Sequence, residues 1–238
     1  MKIFREHEGG AVNALRKYPK FATYKYTYLV IAILAQFVLA PLLEERMPLI
    51  VPLLFFILMI AVLVTLNLKK LFFRVLLGLG CLSFVFSLTA RVIQLPYREA
   101  LSFYAIGLST LAAFFSIAIV VLVVRIFSEK VITGETIKGG IAVYFMMGFL
   151  WAFLYSLLVL LSPESISLSM ESLKYSGITY FSFTTLTTLG YGEITPVSWL
   201  ARNLTILEST SGQIYLTVLI ARLVGLHIAG SKLHSGKP

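Results

Sequence analysis

The sequence predicts an all-α membrane protein with six spanning helices and a shorter looped segment between the fifth and the sixth. Three observations predict it. The 238 residues are 58% hydrophobic and only 13% charged, with a mean hydropathy of +0.90, whereas a soluble domain keeps its charged residues near a quarter. Six apolar stretches have spanning length, because about 30 Å of hydrocarbon takes roughly 20 residues at 1.5 Å each. Lastly, a polar, glycine-bearing stretch, TTLTTLGYGEITP at 184–196, sits between the last two of them.

In chain order the spans read 26–43, 49–68, 71–90, 101–127, 140–161 and 199–226. Each must be helical, since lipid offers no partner to backbone N–H and C=O groups. Pro41, Pro48, Pro96 and Pro163, or charges such as Lys69-Lys70 and Glu129-Lys130, punctuate the breaks. Ahead of the spans, residues 1–25 form a basic segment in which Phe4, Val12, Leu15, Tyr18 and Phe21 interleave with basic residues. That pattern fits a helix lying on the membrane surface; a flexible basic tail is the plainer alternative. The first apolar run has spanning length and lacks a small-residue cleavage site, so no cleavable signal peptide is expected. The expected organisation is the basic segment 1–25, a four-helix unit 26–127, a linker 128–139, a final unit 140–229 and a short tail 230–238.

Charge sets the orientation through the excess of Lys and Arg on cytoplasmic loops. With both termini cytoplasmic, 15 of the 20 Lys and Arg residues face inward. The outer side then holds Arg46, Arg91, Arg98, Lys174 and Arg202. This predicts a multi-pass protein of the cell membrane with both ends inside. The net charge of +9 then reads as a collar facing anionic lipid on the cytoplasmic face, not as a nucleic-acid surface. The single cysteine, Cys81, excludes an intramolecular disulfide framework and a thiolate cluster. Zinc signatures, P-loops and GxGxxG cradles are absent, and His7, His227 and His234 lie near the termini. No enzyme and no cofactor is expected.

The polar stretch follows from these limits. Between the last two spans comes SPESISLSMES, then the short apolar-aromatic run GITYFSFTTLTT, then LGYGEITP. The middle run is long enough for roughly three helical turns but too short to cross. Gly190, Gly192 and Pro196 then break the helix. A descending half-helix followed by extended backbone is a re-entrant loop, which survives at membrane depth only when buried in protein or lining water.

Thr187-Thr188-Leu189-Gly190-Tyr191-Gly192, followed by Glu193 and Thr195-Pro196, resembles the selectivity filter of tetrameric potassium channels. The likeness runs from about Ile137 to His227 and includes an outer helix with Trp151 and Tyr155, a pore helix and an inner helix ending ARLVGLH. The resemblance implies that 140–229 is a pore domain in a bacterial-type six-helix channel, with the loop placed between helices 5 and 6. It implies K⁺ sites formed by the carbonyls of Thr188, Leu189, Gly190 and Tyr191 and by the Thr188 hydroxyl, with Gly192 closing the filter. One loop per chain implies a homotetramer around one axis. The chemistry agrees, since dehydrated K⁺ needs several closely spaced neutral oxygens, and glycine reaches positive φ cheaply at Gly190 and Gly192. The side chains of Leu189 and Tyr191 are expected to point away from the axis, with Thr184, Thr187 and Glu193 supporting the filter.

Two positions depart from the family pattern: Leu189 stands where valine is commoner, and Glu193 where aspartate is. Tyr180, Phe181 and Phe183 occupy the pore-helix cuff, where tryptophans are frequent. Gly212, twenty residues after Gly192, matches the family's hinge glycine, and close helix packing is the other use of a missing side chain. Counting from it, Gln213, Leu216, Thr217 and Ile220 are expected to face a cavity, with Ile220 and Val224 at a hydrophobic constriction. Glu208 is costly inside a span. It either sits behind the filter, accepting from Thr184 or Thr185, or faces the cavity; helical spacing favours the former. His227 is read as a solvated end residue, with pH sensing the other use.

The fourth span carries a single charge, Arg125, so steep voltage gating is not expected. Gly78-Leu79-Gly80 in the third is read as close packing, not as a second filter. A weakly selective cation channel and a non-conducting membrane sensor or scaffold are the competing functions.

Overall fold

The computed structural model describes residues 24–44, 46–47, 49–93, 96–129, 132–168 and 175–235. The expected surface helix of 1–25 lies outside them, apart from its last two residues. The described residues form seven α-helices, α1 Lys25–Glu44, α2 Ile50–Leu66, α3 Lys70–Val92, α4 Tyr97–Ser128, α5 Gly134–Leu161, α6 Tyr175–Leu186 and α7 Trp199–Ser235, and one 3-10 turn at Pro163–Ser165. Of these, α1, α3, α4, α5 and α7 are long and apolar enough to cross a membrane. Helix α2 has 17 residues and rises roughly 25 Å. It stops short of the expected 49–68 because Asn67 takes a left-handed φ of 41°. Helix α6, of 12 residues, is roughly 18 Å long.

Two helices run past the expected ends of their spans. The linker 128–139 is mostly helix, since α5 begins at Gly134. Thr133 starts it with a reciprocal cap: its hydroxyl accepts from the Thr136 N–H at 3.2 Å, and the Thr136 hydroxyl accepts from the Thr133 N–H at 3.3 Å. The usual cap carries Glu or Gln at that fourth position, and threonine there hides the signal. The tail 230–238 is helical as far as Ser235. Hydropathy marks where lipid contact ends, and the hydrogen-bond ladder continues past it.

Helix α5 is the hub, packing against α1, α4, α6 and α7. Toward α2 and α4 it presents Phe149 and Phe153, which meet Phe55 and Phe115 edge to face with centroids 5.2–6.4 Å apart. Each such pair adds about 0.5–1.5 kcal/mol beyond burial. Toward α6, Gly148 lets the Phe183 ring lie where a Cβ would come within 2.6 Å of it. In α3, Gly80 admits Met59 of α2, with its Sδ 3.3 Å from a would-be Cβ, while Gly78 has no neighbour within 4 Å. The packing explanation therefore covers Gly80 alone.

Polar ties join the helix ends. Glu135, in the first turn of α5, accepts from the backbone N–H of Tyr26 (3.0 Å) and Thr27 (3.3 Å) and from the Thr27 hydroxyl (2.5 Å). It thereby satisfies donors that the first turn of α1 leaves unpaired. Glu44, ending α1, accepts from the Ser176 N–H at the start of α6 (3.1 Å). Arg222 of α7 donates to the carbonyls of Phe127 and Glu129 at the end of α4. All three ties join the first four helices to the last three.

Candidate functional site

The TTLGYG segment leaves the end of α6 in a backbone conformation rare among the other described residues. Among the described residues, positive φ occurs at Asn67, Thr188, Gly190 and Gly192. Three of these four are alternate positions of one five-residue stretch, at φ 59°, 52° and 92°. The two glycines follow the expectation. Thr188 does not, since a β-branched residue there is strained, at about 1–3 kcal/mol.

The last turn of α6 holds this conformation. Four carbonyls at a helix C-terminus lack intrahelical partners, and here each finds another. Phe183 O accepts from the Thr187 N–H (3.1 Å) and hydroxyl (2.7 Å), Thr184 O from the Gly190 N–H (3.1 Å), and Thr185 O from the Thr188 N–H (2.9 Å). Leu186 O accepts from the Tyr144 hydroxyl of α5 at 3.2 Å. Further along, strand β2 (Thr195–Pro196) pairs antiparallel with β1 (Ile166–Ser167). The Val197 and Ser198 N–H groups also reach Ser165 O, at 2.9 and 3.1 Å. The returning chain is thus clipped to the end of α5.

Between these fastenings the segment is open in the single chain. Leu189 is 53% exposed and Tyr191 72%, and a Cβ at Gly190 or Gly192 would meet nothing within 4 Å. Behind it, the Tyr180 hydroxyl donates to Glu193. Phe181 is buried and lies edge to face on Tyr155 at 5.0 Å.

Glu208 is fully buried in α7, as helical spacing favoured, but the expected threonine partners are corrected. Its Oε2 accepts from the Tyr155 hydroxyl of α5 at 2.7 Å, and its Oε1 lies 2.6 Å from the Ser182 hydroxyl of α6. Thr184 lies two residues beyond Ser182, on the opposite side of the helix, and donates to Phe181 O at 3.0 Å. Ser182 also reaches Gly148 O at 2.8 Å. One carboxyl group therefore joins α5, α6 and α7. Ser182 went unrecognised as a partner, although a hydroxyl within an aromatic run needs an acceptor once buried.

Gly212 is buried against the end of α6, where a Cβ would lie 2.7 Å from Leu186 Cδ1 and 2.8 Å from its carbonyl oxygen. Close packing thus explains this glycine in the structure, and α7 runs unbroken through it. Tyr215 donates to Gly140 O at 2.9 Å and stacks on Tyr144. Of the residues expected on one face, Gln213, Thr217, Ile220 and Val224 are exposed and Leu216 is half-buried. The Thr217 hydroxyl donates back to Gln213 O at 2.8 Å. The side chain of His227 lies outside the described residues. Among the described residues no group of three or more His, Cys, Asp or Glu could hold a metal ion. A cation at 187–192 would meet backbone and hydroxyl oxygens instead.

Comparison with known proteins bears on the same region. Searches of curated proteins and of solved structures gave no match. A family model described as Ion channel matches residues 131–227, which takes in α5, α6, the 187–196 segment and most of α7 and leaves out α1–α4. That match supports an ion-channel family for this part of the chain.

Proposed function

We propose that four copies of this chain surround one axis and conduct K⁺ selectively and passively through the backbone oxygens of residues 188–191. The observation that carries the reading is the alternation of left-handed φ at Thr188, Gly190 and Gly192. Alternating handedness turns successive N–H groups to one side of a strand and carbonyls to the other. A row of carbonyls on one side is what a dehydrated K⁺ requires. In this reading α6 is the re-entrant pore helix, α2 is the sixth span, and Thr184, Thr187, Glu193 and Glu208 support the filter. Exposed Gln213, Thr217, Ile220 and Val224 line the cavity and gate.

The tetramer is supported by what a single chain leaves uncovered. Backbone at membrane depth must be enclosed by protein or line water, and one chain leaves Leu189 and Tyr191 open. Both termini are cytoplasmic in the cell membrane, following the Lys and Arg bias, and anionic lipid faces the basic ends. The one cation of α4 near its end, Arg125, is held by Thr65 O at 3.2 Å. Gating by voltage through α4 is therefore not part of the reading.

The test is K⁺ flux into liposomes holding the purified chain, beside the Tyr191→Ala variant. We expect flux in the native chain and at least a tenfold loss in the variant, about what removing 1.4 kcal/mol of coordination geometry produces. Equal flux in both would place conduction elsewhere.

A further inference from the structure

Three oxygen-to-oxygen contacts meet where α5, α6 and α7 join, and each needs a proton. The Tyr155 hydroxyl lies 2.7 Å from Glu208 Oε2, the Ser182 hydroxyl 2.6 Å from Glu208 Oε1, and the same Ser182 hydroxyl 2.8 Å from Gly148 O. Tyrosine and serine bring one proton each, and a backbone carbonyl brings none. Two protons cannot serve three contacts, and oxygens this close with no proton between them repel. Tyr155, Ser182 and Glu208 are each 0% exposed within one chain, so neither bulk water nor a neighbouring copy supplies the third. No cation offsets a carboxylate there either. Between Arg202 and Arg222, α7 holds no charged residue but Glu208, α6 holds none, and α5 is charged only at Glu135 and Lys138. Lys138, the nearer of these to Tyr155 in sequence, is roughly 25 Å away along the helix. The other titratable groups among the described side chains of these helices are tyrosines with acceptors of their own. Tyr144 donates to Leu186 O, Tyr180 to Glu193 and Tyr215 to Gly140 O. An ionised carboxyl buried without a cation is among the costliest groups in a membrane.

We infer that Glu208 is a neutral carboxylic acid whose Oε1–H donates to Ser182, so that one chain of hydrogen bonds runs from Tyr155 through Glu208 and Ser182 to Gly148 O. In this order every proton has one acceptor. Ser182 is then held to α5 at the same residue on which the Phe183 ring packs. Without the acid proton, the Ser182 hydroxyl turns to the carboxylate and its tie to Gly148 O is lost. The consequence for conduction rests on the proposed function. Ser182 stands just ahead of the carbonyls of Phe183, Thr184 and Thr185, which accept from the backbone N–H groups of Thr187, Gly190 and Thr188. Loosening α6 at Ser182 therefore loosens the support of the filter, and Glu208 is a positioning residue that acts through its proton.

Infrared spectra of the full chain in phosphatidylcholine nanodiscs at about pH 7, native minus Glu208→Gln, test the proton directly, since an ordinary glutamate is ionised there. The expected difference is the carbonyl stretch of a protonated carboxyl, present in the native chain and lost in the variant. A difference made only of carboxylate bands would overturn the inference. Ser182→Ala removes the acceptor and should move that stretch to higher frequency, whereas an unmoved band would overturn donation to Ser182. This second variant also serves if Glu208→Gln fails to purify as the native assembly. K⁺ flux into liposomes from about pH 7 to about pH 9, below the main titration of Lys and Tyr, reads the positioning role. Native flux should fall about threefold or more over that range as the acid proton is lost, while flux through Glu208→Gln, whose amide keeps its protons, stays level. Parallel falls in both would overturn the positioning role. The infrared result needs no conduction, so failure of the channel reading and failure of this one are told apart.

Discussion

Replacing Gly192 with alanine is expected to abolish K⁺-selective flux while the chain still folds and assembles. In the single chain space is not the obstacle, because a Cβ there would meet nothing within 4 Å. Backbone geometry is. At φ 92° the residue lies beyond the left-handed well near +50 to +70° that other residues tolerate, so an L side chain must pull the peptide out of line. The cost is at least about 1–2 kcal/mol per copy, and therefore about 4–8 kcal/mol for a four-chain pore. Gly190, at φ 52°, lies inside that well, so Gly190→Ala should retain more flux than Gly192→Ala. Liposome flux with size-exclusion chromatography of both variants checks the order. Unchanged selectivity in Gly192→Ala would break the link between the alternating backbone and conduction.

The second large effect is expected at Glu208. Glu208→Ala should lower stability by about 2–5 kcal/mol, since it strands the buried Tyr155 hydroxyl, leaves Ser182 with Gly148 O alone, and opens a cavity between three helices. Glu208→Gln should cost far less. Its amide oxygen takes the Tyr155 proton and its NH₂ donates to Ser182, whose own proton serves Gly148 O at 2.8 Å. Thermal unfolding in one detergent, native chain against both variants, measures the difference. Equal losses in the two variants would mean that the carboxyl group acts otherwise than by joining α5, α6 and α7.

Much of this was legible in the sequence because it depends on local rules. Five of the six expected apolar spans, the short α6, positive φ at Gly190 and Gly192, and the burial of Glu208 all follow from length, glycine content or helical spacing. What was not legible depends on distant neighbours. Glu208 and Ser182 are separated by 26 residues, and Glu135 and Tyr26 by 109. No periodicity pairs a polar group with a partner so remote. Arg222 counted as one cytoplasmic charge among fifteen, and only the packing of α7 on α5 brings it to the end of α4. Thr188 is a different case, because its own preference opposes the conformation it adopts. The carbonyls of α6 impose that conformation on it.

The proposed selectivity is tested most directly by the reversal potential of the native chain in planar bilayers with K⁺ on one side and Na⁺ on the other. The account predicts a reversal potential far toward that of a K⁺ electrode, with K⁺ favoured at least about a hundredfold, equivalent to about 2.8 kcal/mol. A reversal potential near zero with measurable current would contradict it, and would mean that residues 188–191 admit both ions alike.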